Sequence, residues 1–441
     1  MKIFSLSAIL CMILFTPGFL QAQAAQAPQK EPLVFSAEVS RKDGIFRCGE
    51  AIGFQFRLFE NGVPASGKIM EYTLHKNGFP VETKRAPGDQ TLKIQTSLDK
   101  PGWVWVRVFA LNEKGERIKK VRGWFVNSFA GAMVEPEKLR QNDSEPADFD
   151  AFWSAQRKKL DQVPVREISR IPVEAPQGLN NRADHFIVTV ACAGSKPLTG
   201  ILSIPKNAKP HSLPAIAIFQ GAGVYRSSFN RQYVEGAIIL HVNAHGIPPL
   251  EKPEFYTALN QNELKNYAHQ NKTDREKFYF NGMYLRVMRA FDYLKALPEW
   301  DGKRLISMGG SQGGAQSLAG AALDPAVTFC WSSVPAMGDH AGILAGRRPG
   351  WPGLFNNPKG DQKILKTAAY YDNNNFARRI RCEIIMLTGF SDFVCPPTSV
   401  YTAFHNLPET TRKALYTNPL DGHMTGNAEA SRRIRNYIFK H

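Results

Sequence analysis

The sequence predicts an α/β architecture: a mostly parallel sheet covered by helices on both faces, preceded by about a hundred residues of antiparallel β-structure. Three observations carry this. From 33 to about 127, apolar side chains recur at every second position between Asn-Gly and Pro-Gly turns. From 185 onward, short continuous apolar runs alternate with helical ones. Among the latter stands Gly309-Gly310-Ser311-Gln312-Gly313, a glycine-x-serine-x-glycine pattern between a strand-like run and a helix of small residues.

In chain order, the first segment reads as an address. Lys2 precedes an apolar run over 3–20, broken at Pro17-Gly18 and followed by the small-x-small pattern Ala22-Gln23-Ala24. This predicts an export signal over 1–24, cut after Ala24, since a cut after Ala27 would fall beside Pro28. Leu10 before Cys11 does not fit a lipoprotein anchor. No later run approaches the length of a membrane span, so a secreted or periplasmic protein is expected.

Residues 25–130 read as an immunoglobulin-like β-sandwich domain. Ile52, Phe54, Phe56 and Leu58 alternate with Gly53, Gln55 and Arg57 and close on Asn61-Gly62; Met70, Tyr72 and Leu74 close on Asn77-Gly78. Val104, Val106 and Val108 alternate with Trp103, Trp105 and Arg107 after Pro101-Gly102. Short alternating strands with such turns suit a sandwich, without the Cys-Trp-Cys spacing of true immunoglobulin domains. Trp103 and Trp105 fit either a sugar-stacking platform or packing against core or a neighbouring domain, and packing is the reading preferred.

A linker is expected over 131–146, and a catalytic α/β domain over 147–441. The domain opens with a helix carrying Phe149, Phe152, Trp153 and Leu160 on one face, with Asp148 as its N-cap. Strands follow at 185–190, 199–204, 215–219 and 237–242, then a helix over 284–296 with Leu285, Met288, Phe291 and Leu294 at helical spacing. Further strands are expected at 304–308, 329–331, 383–388 and 414–416, and a helix ends the chain. With a serine elbow at its centre, this series is that of an α/β-hydrolase fold.

A serine hydroxyl is a poor nucleophile unless a base takes its proton and an acid orients the base. In this fold they follow in the order serine, acid, histidine. Asp392 lies in the loop after the 383–388 strand, and His423, in Asp421-Gly422-His423, lies between the 414–416 strand and the last helix. Ser311, Asp392 and His423 are therefore the expected catalytic set. Its oxyanion hole should use the backbone N–H of Gln312 and that of Gly221, with Ala222 beside it, in Gln220-Gly221-Ala222-Gly223. Asp421 fits a turn-shaping role, His340 beside Asp339 a substrate wall or exposed position, and His245 and His405 structural or solvent-facing ones. The segment 248–279 is expected to wall or cover the site.

Composition bounds the partners. The chain has 441 residues, 43% of them hydrophobic, and a formal charge of +16. Lys and Arg are dispersed and no nucleic-acid module is present, so nucleic acid is not an expected partner. After the leader, Cys48, Cys192, Cys330, Cys382 and Cys395 remain, an odd and irregularly spaced set that argues against a disulfide framework. The default for these cysteines is burial. No ligand spacing for a metal is evident, and no cofactor or metal is expected.

Several runs resemble the acetyl xylan esterase and cephalosporin C deacetylase family, carbohydrate esterase family seven. They are Ser-Gln-Gly-Gly at the elbow, Pro-Glu-Trp-Asp-Gly-Lys-Arg before it, and Ala-Asp-Phe-Asp-Ala-Phe-Trp at 147–153. Tyr370-Tyr371-Asp372, Asn375-Phe376-Ala377 and Cys395-Pro396-Pro397-Thr398 carry the likeness furthest. It spans about 145–440 and departs twice. Ala244-His245-Gly246-Ile247 stands where the family has Arg-Gly-Gln, and Met424 follows the histidine where the family has Glu. The resemblance implies hydrolysis of acetyl esters of carbohydrates, and the first departure bears on acetyl preference more than on hydrolysis. Two other readings stay open: a secreted serine peptidase of the prolyl-oligopeptidase type, and a non-catalytic carbohydrate-binding protein on a hydrolase scaffold. Oligomeric state is not legible.

Overall fold

The computed structural model describes residues 33–120, 123–142, 145–176, 178–355 and 361–439. The expected export signal at 1–24 lies outside them.

Nine strands come first: β1 (Leu33–Val39), β2 (Ile45–Phe46), β3 (Ile52–Glu60), β4 (Val63–Pro64), β5 (Ile69–Lys76), β6 (Phe79–Pro87), β7 (Leu92–Thr96), β8 (Gly102–Leu111) and β9 (Asn127–Val134). They form a four-stranded sheet, β1-β3-β4 with β7 also on β3, and a five-stranded sheet ordered β2-β9-β8-β5-β6. Side chains on a strand point alternately to its two faces. Phe54, Phe56 and Leu58 of β3 therefore meet Met70, Tyr72 and Leu74 of β5 and Val104, Val106 and Val108 of β8 in one apolar cluster between the sheets. Glycines at the Asn-Gly turns have left-handed φ, 89° at Gly62 and 88° at Gly78, as tight hairpins require. One expectation is corrected: β9 pairs with β8 as far as Val134 opposite Gly102. The connecting segment thus begins after Val134 and not at 131. Ala130, Ala132 and Val134 give β9 the same alternation, but small residues made it read as linker.

The second region holds a nine-stranded sheet. Its strands are β10 (Glu167–Pro172), β11 (Ala183–Val190), β12 (Leu198–Pro205), β13 (Leu213–Phe219), β14 (Ile238–Val242), β15 (Trp300–Gly310), β16 (Phe329–Ser333), β17 (Glu383–Gly389) and β18 (Lys413–Asn418). The order is β10-β11-β12-β14-β13-β15-β16-β17-β18. The three pairings among β10, β11, β12 and β14 are antiparallel, and all five from β14 to β18 are parallel. Helices are α1 (Phe149–Asp161), α2 (Pro253–Gln261), α3 (Tyr279–Lys295), α4 (Gln312–Leu323), α5 (Gln362–Ala369), α6 (Asn373–Ala377), α7 (Pro397–His405) and α8 (Ala428–Phe439).

Continuous apolar strands arise because both faces of the sheet are covered. Ile384 and Met386 of β17 join the cluster formed with α1, α3 and α4. Ile385 and Leu387 turn the other way, to Ala430, Ile434 and Ile438 of α8. Each such buried Ile or Leu contributes about 1.5–3 kcal/mol relative to exposure. β10 escaped the sequence reading because Ile168 and Ile171 are both 54% exposed. This edge strand is held by its pairing with β11 and not by burial. Asp148 does occupy the N-cap position of α1, but its carboxylate makes no cap bond; it pairs with Arg275 at 2.7 Å and accepts from the Tyr370 hydroxyl.

Candidate active site

The chain reverses from β15 into α4 in a single residue, Ser311, whose φ of 57° and ψ of −123° lie outside the usual regions for a side-chain-bearing residue. Its N–H donates to Ser333 O at 2.9 Å, and its carbonyl accepts from Ala315 N and Ala336 N, both at 3.0 Å. Two glycines of the motif are demanded by space. A Cβ at 309 would lie 2.2 Å from Gly313 O, and one at 313 would lie 2.2 Å from Phe219 O. Small residues let α4 begin directly against β13 and lift the serine to the carboxyl edge of the sheet, where α/β folds place their ligands.

Two distant segments converge on this serine. His423 Nε2 lies 3.0 Å from Ser311 Oγ, and His423 Nδ1 lies 2.8 Å from Asp392 Oδ2. The other carboxylate oxygen of Asp392 accepts from Val394 N at 2.8 Å and Cys395 N at 2.9 Å. Asp392 is 0% exposed, so these bonds fix a carboxylate that water does not reach. An ionised Asp392 calls for a proton on Nδ1, which leaves Nε2 free to accept from the serine hydroxyl. The loops that carry Asp392 and His423 are also joined to each other, with Phe390 N donating to Asn418 O and Ser391 N to Asp421 O, both at 2.9 Å. Asp421 shapes its turn as expected, its carboxylate accepting from Thr425 Oγ1 at 2.8 Å.

The expected oxyanion donors lie on α4 and on the loop after β13. Gln312 is the first residue of α4, where an N–H has no intrahelical acceptor. The side chain of Gln312 donates to Gly221 O at 3.3 Å, and that of Gln316 to Gln220 O at 2.9 Å. In a trans peptide the N–H points opposite to the carbonyl. The N–H groups of Gly221 and Ala222 are therefore turned away from these glutamines.

A polar network missed by the sequence reading holds this loop. His245 Nε2 lies 3.0 Å from Gly223 O, and its Nδ1 2.7 Å from the Tyr279 hydroxyl. Gly223 N donates to the Tyr267 hydroxyl at 3.1 Å, which donates onward to Gln312 Oε1 at 2.7 Å. Burial pushes His245 down to about 4, so the neutral ring donates from Nε2 and accepts at Nδ1. His245 is structural, as expected, at the very place where the family tripeptide is absent. Tyr267 is the point at which the 248–279 segment reaches the site wall. Nothing in either residue's local sequence marks these contacts, which are made only in three dimensions.

Cys395 is the other neighbour. Its Sγ, an Asp392 carboxylate oxygen and a His423 ring nitrogen lie within 4.8 Å of one another, the one grouping of three metal-ligand side chains among the described residues. Burial holds the thiol well above its ordinary value, so it remains protonated beside the carboxylate. All five described cysteines are free.

His340 corrects an expectation. It is neither a substrate wall nor exposed but fully buried, with both ring nitrogens unpartnered. It lines a cavity of about 10 Å³ with Asp339, Asp372 and Asn374, room for about one water. His405 is half-buried and bonded to Leu139 O at 3.0 Å. Trp103 and Trp105 are buried between the β8–β9 face and Phe390, which is packing and not a stacking platform.

Residues 128–441 match the model of the acetyl xylan esterase (AXE1) family. Acetyl esterase Axe7A of Xylanibacter ruminicola is 31% identical over 434 residues, spanning 94% of this chain and 93% of that protein. The N-terminal sheets thus lie inside the alignment. Among solved structures, an acetyl xylan esterase from a Paenibacillus species superposes with a TM-score of 0.57 at 22% identity, over 69% of this chain and 98% of that one. Another, from a Thermoanaerobacterium species, gives 0.58 at 20% identity, over 68% and 96%. These two share with this chain the mixed α/β fold and its large, mostly parallel sheet. With the greater part of its length matched by the family model and a relative aligned almost from end to end, the chain belongs to the acetyl xylan esterase family.

Proposed function

We propose that the protein is an exported carboxylic ester hydrolase that removes acetyl groups from plant-type oligosaccharides or polysaccharides, with Ser311 as nucleophile, His423 as base and Asp392 as its orienting acid. The observation that carries this reading is the unbroken chain of hydrogen bonds from Asp392 through His423 to Ser311 Oγ. Family membership and the name of the Xylanibacter relative support the acetyl ester as substrate. The 1–24 segment supplies export, and the N-terminal sheets, which end at Val134, are taken as an immunoglobulin-like domain ahead of the catalytic domain.

Ser311 Oγ bonds to the acetyl carbonyl carbon while its proton passes to His423 Nε2. Negative charge moves to the carbonyl oxygen, facing the N–H groups of Gln312 and Gly221, where each such donor contributes about 10²–10³ in rate. Asp392 stabilises the imidazolium. The intermediate collapses, the bond between the acetyl carbon and the sugar oxygen breaks, and that oxygen takes the proton from His423 as it leaves as the alcohol. Water then attacks acetyl-Ser311 with His423 again as base, releasing acetate. Two displacements at a trigonal carbon replace one by water that lacks activation.

The direct test is to quench the protein with acid during turnover of an aryl acetate and map the peptides by mass spectrometry. Acetyl on the Ser311 peptide supports the reading; steady turnover with acetyl on another residue, or none, contradicts it.

A further inference from the structure

The N-terminal sheets bear directly on the loops that carry Asp392 and His423. Alternation along β8 sends Val104, Val106 and Val108 into the sheets' own core. Trp103 and Trp105 point the opposite way, into a cluster with Met133, Phe390 and Tyr401. Trp103 Nε1 donates to Phe390 O at 2.5 Å between two fully buried residues, and Phe390 lies two residues before Asp392. Trp105 stacks on Phe393, just after Asp392, with centroids 5.7 Å apart and planes within 9°. On β9, Gly131 N donates to Pro419 O at 2.8 Å in the loop leading to His423. A Cβ at 131 would lie 1.9 Å from Phe390 O, so the β9 backbone rests on the acid loop itself. The Phe129 ring covers Gly422, the neighbour of His423, at 3.3 Å from where a Cβ there would stand.

Two of these contacts, Gly131 with Pro419 and Phe129 with Gly422, fall on the loop that leaves the edge of the sheet. The base loop hangs from β18, the edge strand, every residue of which is only half-buried. Segments with few buried contacts open most readily, and a misplacement of about 1 Å at a reacting group costs on the order of 10²-fold in rate. We infer that β8 and β9 are a positioning element of the active site, in which Trp103 and Gly131 clamp the acid and base loops so that Asp392 and His423 stay aligned on Ser311. The N-terminal sheets are thus part of the catalytic scaffold and not a tethered accessory. This rests on the reading of Ser311, His423 and Asp392 proposed above.

The test compares three variants of the full chain. Trp103→Phe keeps an aromatic ring and removes the indole N–H. Gly131→Ala drives a methyl group into the Phe390 carbonyl. Val106→Ala, on the same strand but facing the sheets' own core, reports plain loss of stability. Each is measured for kcat and KM on an aryl acetate, for the rate at which a fluorophosphonate labels Ser311, and for Tm. The expected result is a fall in kcat of about tenfold in Trp103→Phe and about a hundredfold in Gly131→Ala, with labelling slowed in step and KM within about twofold. Val106→Ala should lower Tm at least as far as Trp103→Phe and leave kcat within about twofold. A Trp103→Phe protein with wild-type kcat overturns the inference, whether or not Gly131→Ala folds; so does kcat that tracks Tm across all the variants. A folded wild type that neither turns over ester nor takes up label overturns the Ser311 reading and this inference with it.

Discussion

Ser311 carries a left-handed φ, and the surrounding glycines exist to permit it. That cost in backbone freedom explains why Ser311, the proposed nucleophile, was legible: strain of this kind leaves a motif. Asp392 and His423, proposed as its partners, were legible for a related reason, since each stands in the loop after a strand at the carboxyl edge of the sheet. Asp392→Asn should lower kcat by about 10³–10⁴-fold with Tm little changed, because the amide reverses the tautomer that His423 needs; a loss under tenfold would remove Asp392 from its role. His245 was not legible as a partner of the Gly223 loop, because its contacts come from segments 22 and 34 residues away. Its titration gives a separate test. In the folded chain burial depresses it to about 4 from an ordinary 6.5, so between these values the unfolded chain binds a proton that the folded chain refuses. Stability is then fully present above pH 6.5 and falls, by on the order of 3 kcal/mol, as pH drops through about 4. His245→Gln keeps a donor and an acceptor without titrating, so its Tm should decline less than that of the wild type over this range. Parallel Tm curves would contradict the assignment.

At the scale of elements, strands buried on both faces and the helices with strong apolar faces appear where their periodicity places them. What escaped were elements held by something other than burial. β10 is an exposed edge held by hydrogen bonds. β9 carries its alternation on Ala and Gly, too small to register as a strand. The segment from α2 to α3 was expected to wall the site, and Tyr267 is where it does so. Tyr267→Phe removes the hydroxyl that joins Gly223 N to the Gln312 side chain. Leaving that amide without its acceptor should cost about 1–3 kcal/mol. We expect kcat to fall several-fold, with KM for a small aryl ester little altered, as steady-state kinetics would report. Unchanged kcat would mean that this loop does not depend on Tyr267.

Across the whole molecule, two apolar cores meet through Trp103, Trp105, Met133, Phe390 and Tyr401, a buried junction and not a flexible tether. Domains joined through large apolar contacts move and unfold together. Calorimetry should therefore give one cooperative transition for the full chain, and two resolved transitions would show the N-terminal sheets to be independent. The sequence made both regions recognisable and offered Trp103 and Trp105 as packing against core or a neighbouring domain, but it did not give their partners, since residues 103 and 390 are linked only by the fold. The central claim, that the Ser311 centre removes acetyl groups from carbohydrate, is tested most directly by acetate release from acetylated xylo-oligosaccharides by the wild-type protein and by Ser311→Ala. The account predicts release by the wild type and a loss of about 10⁴-fold or more in the variant. Equal release by both, or none by a folded wild type that still hydrolyses simple aryl acetates, would contradict it.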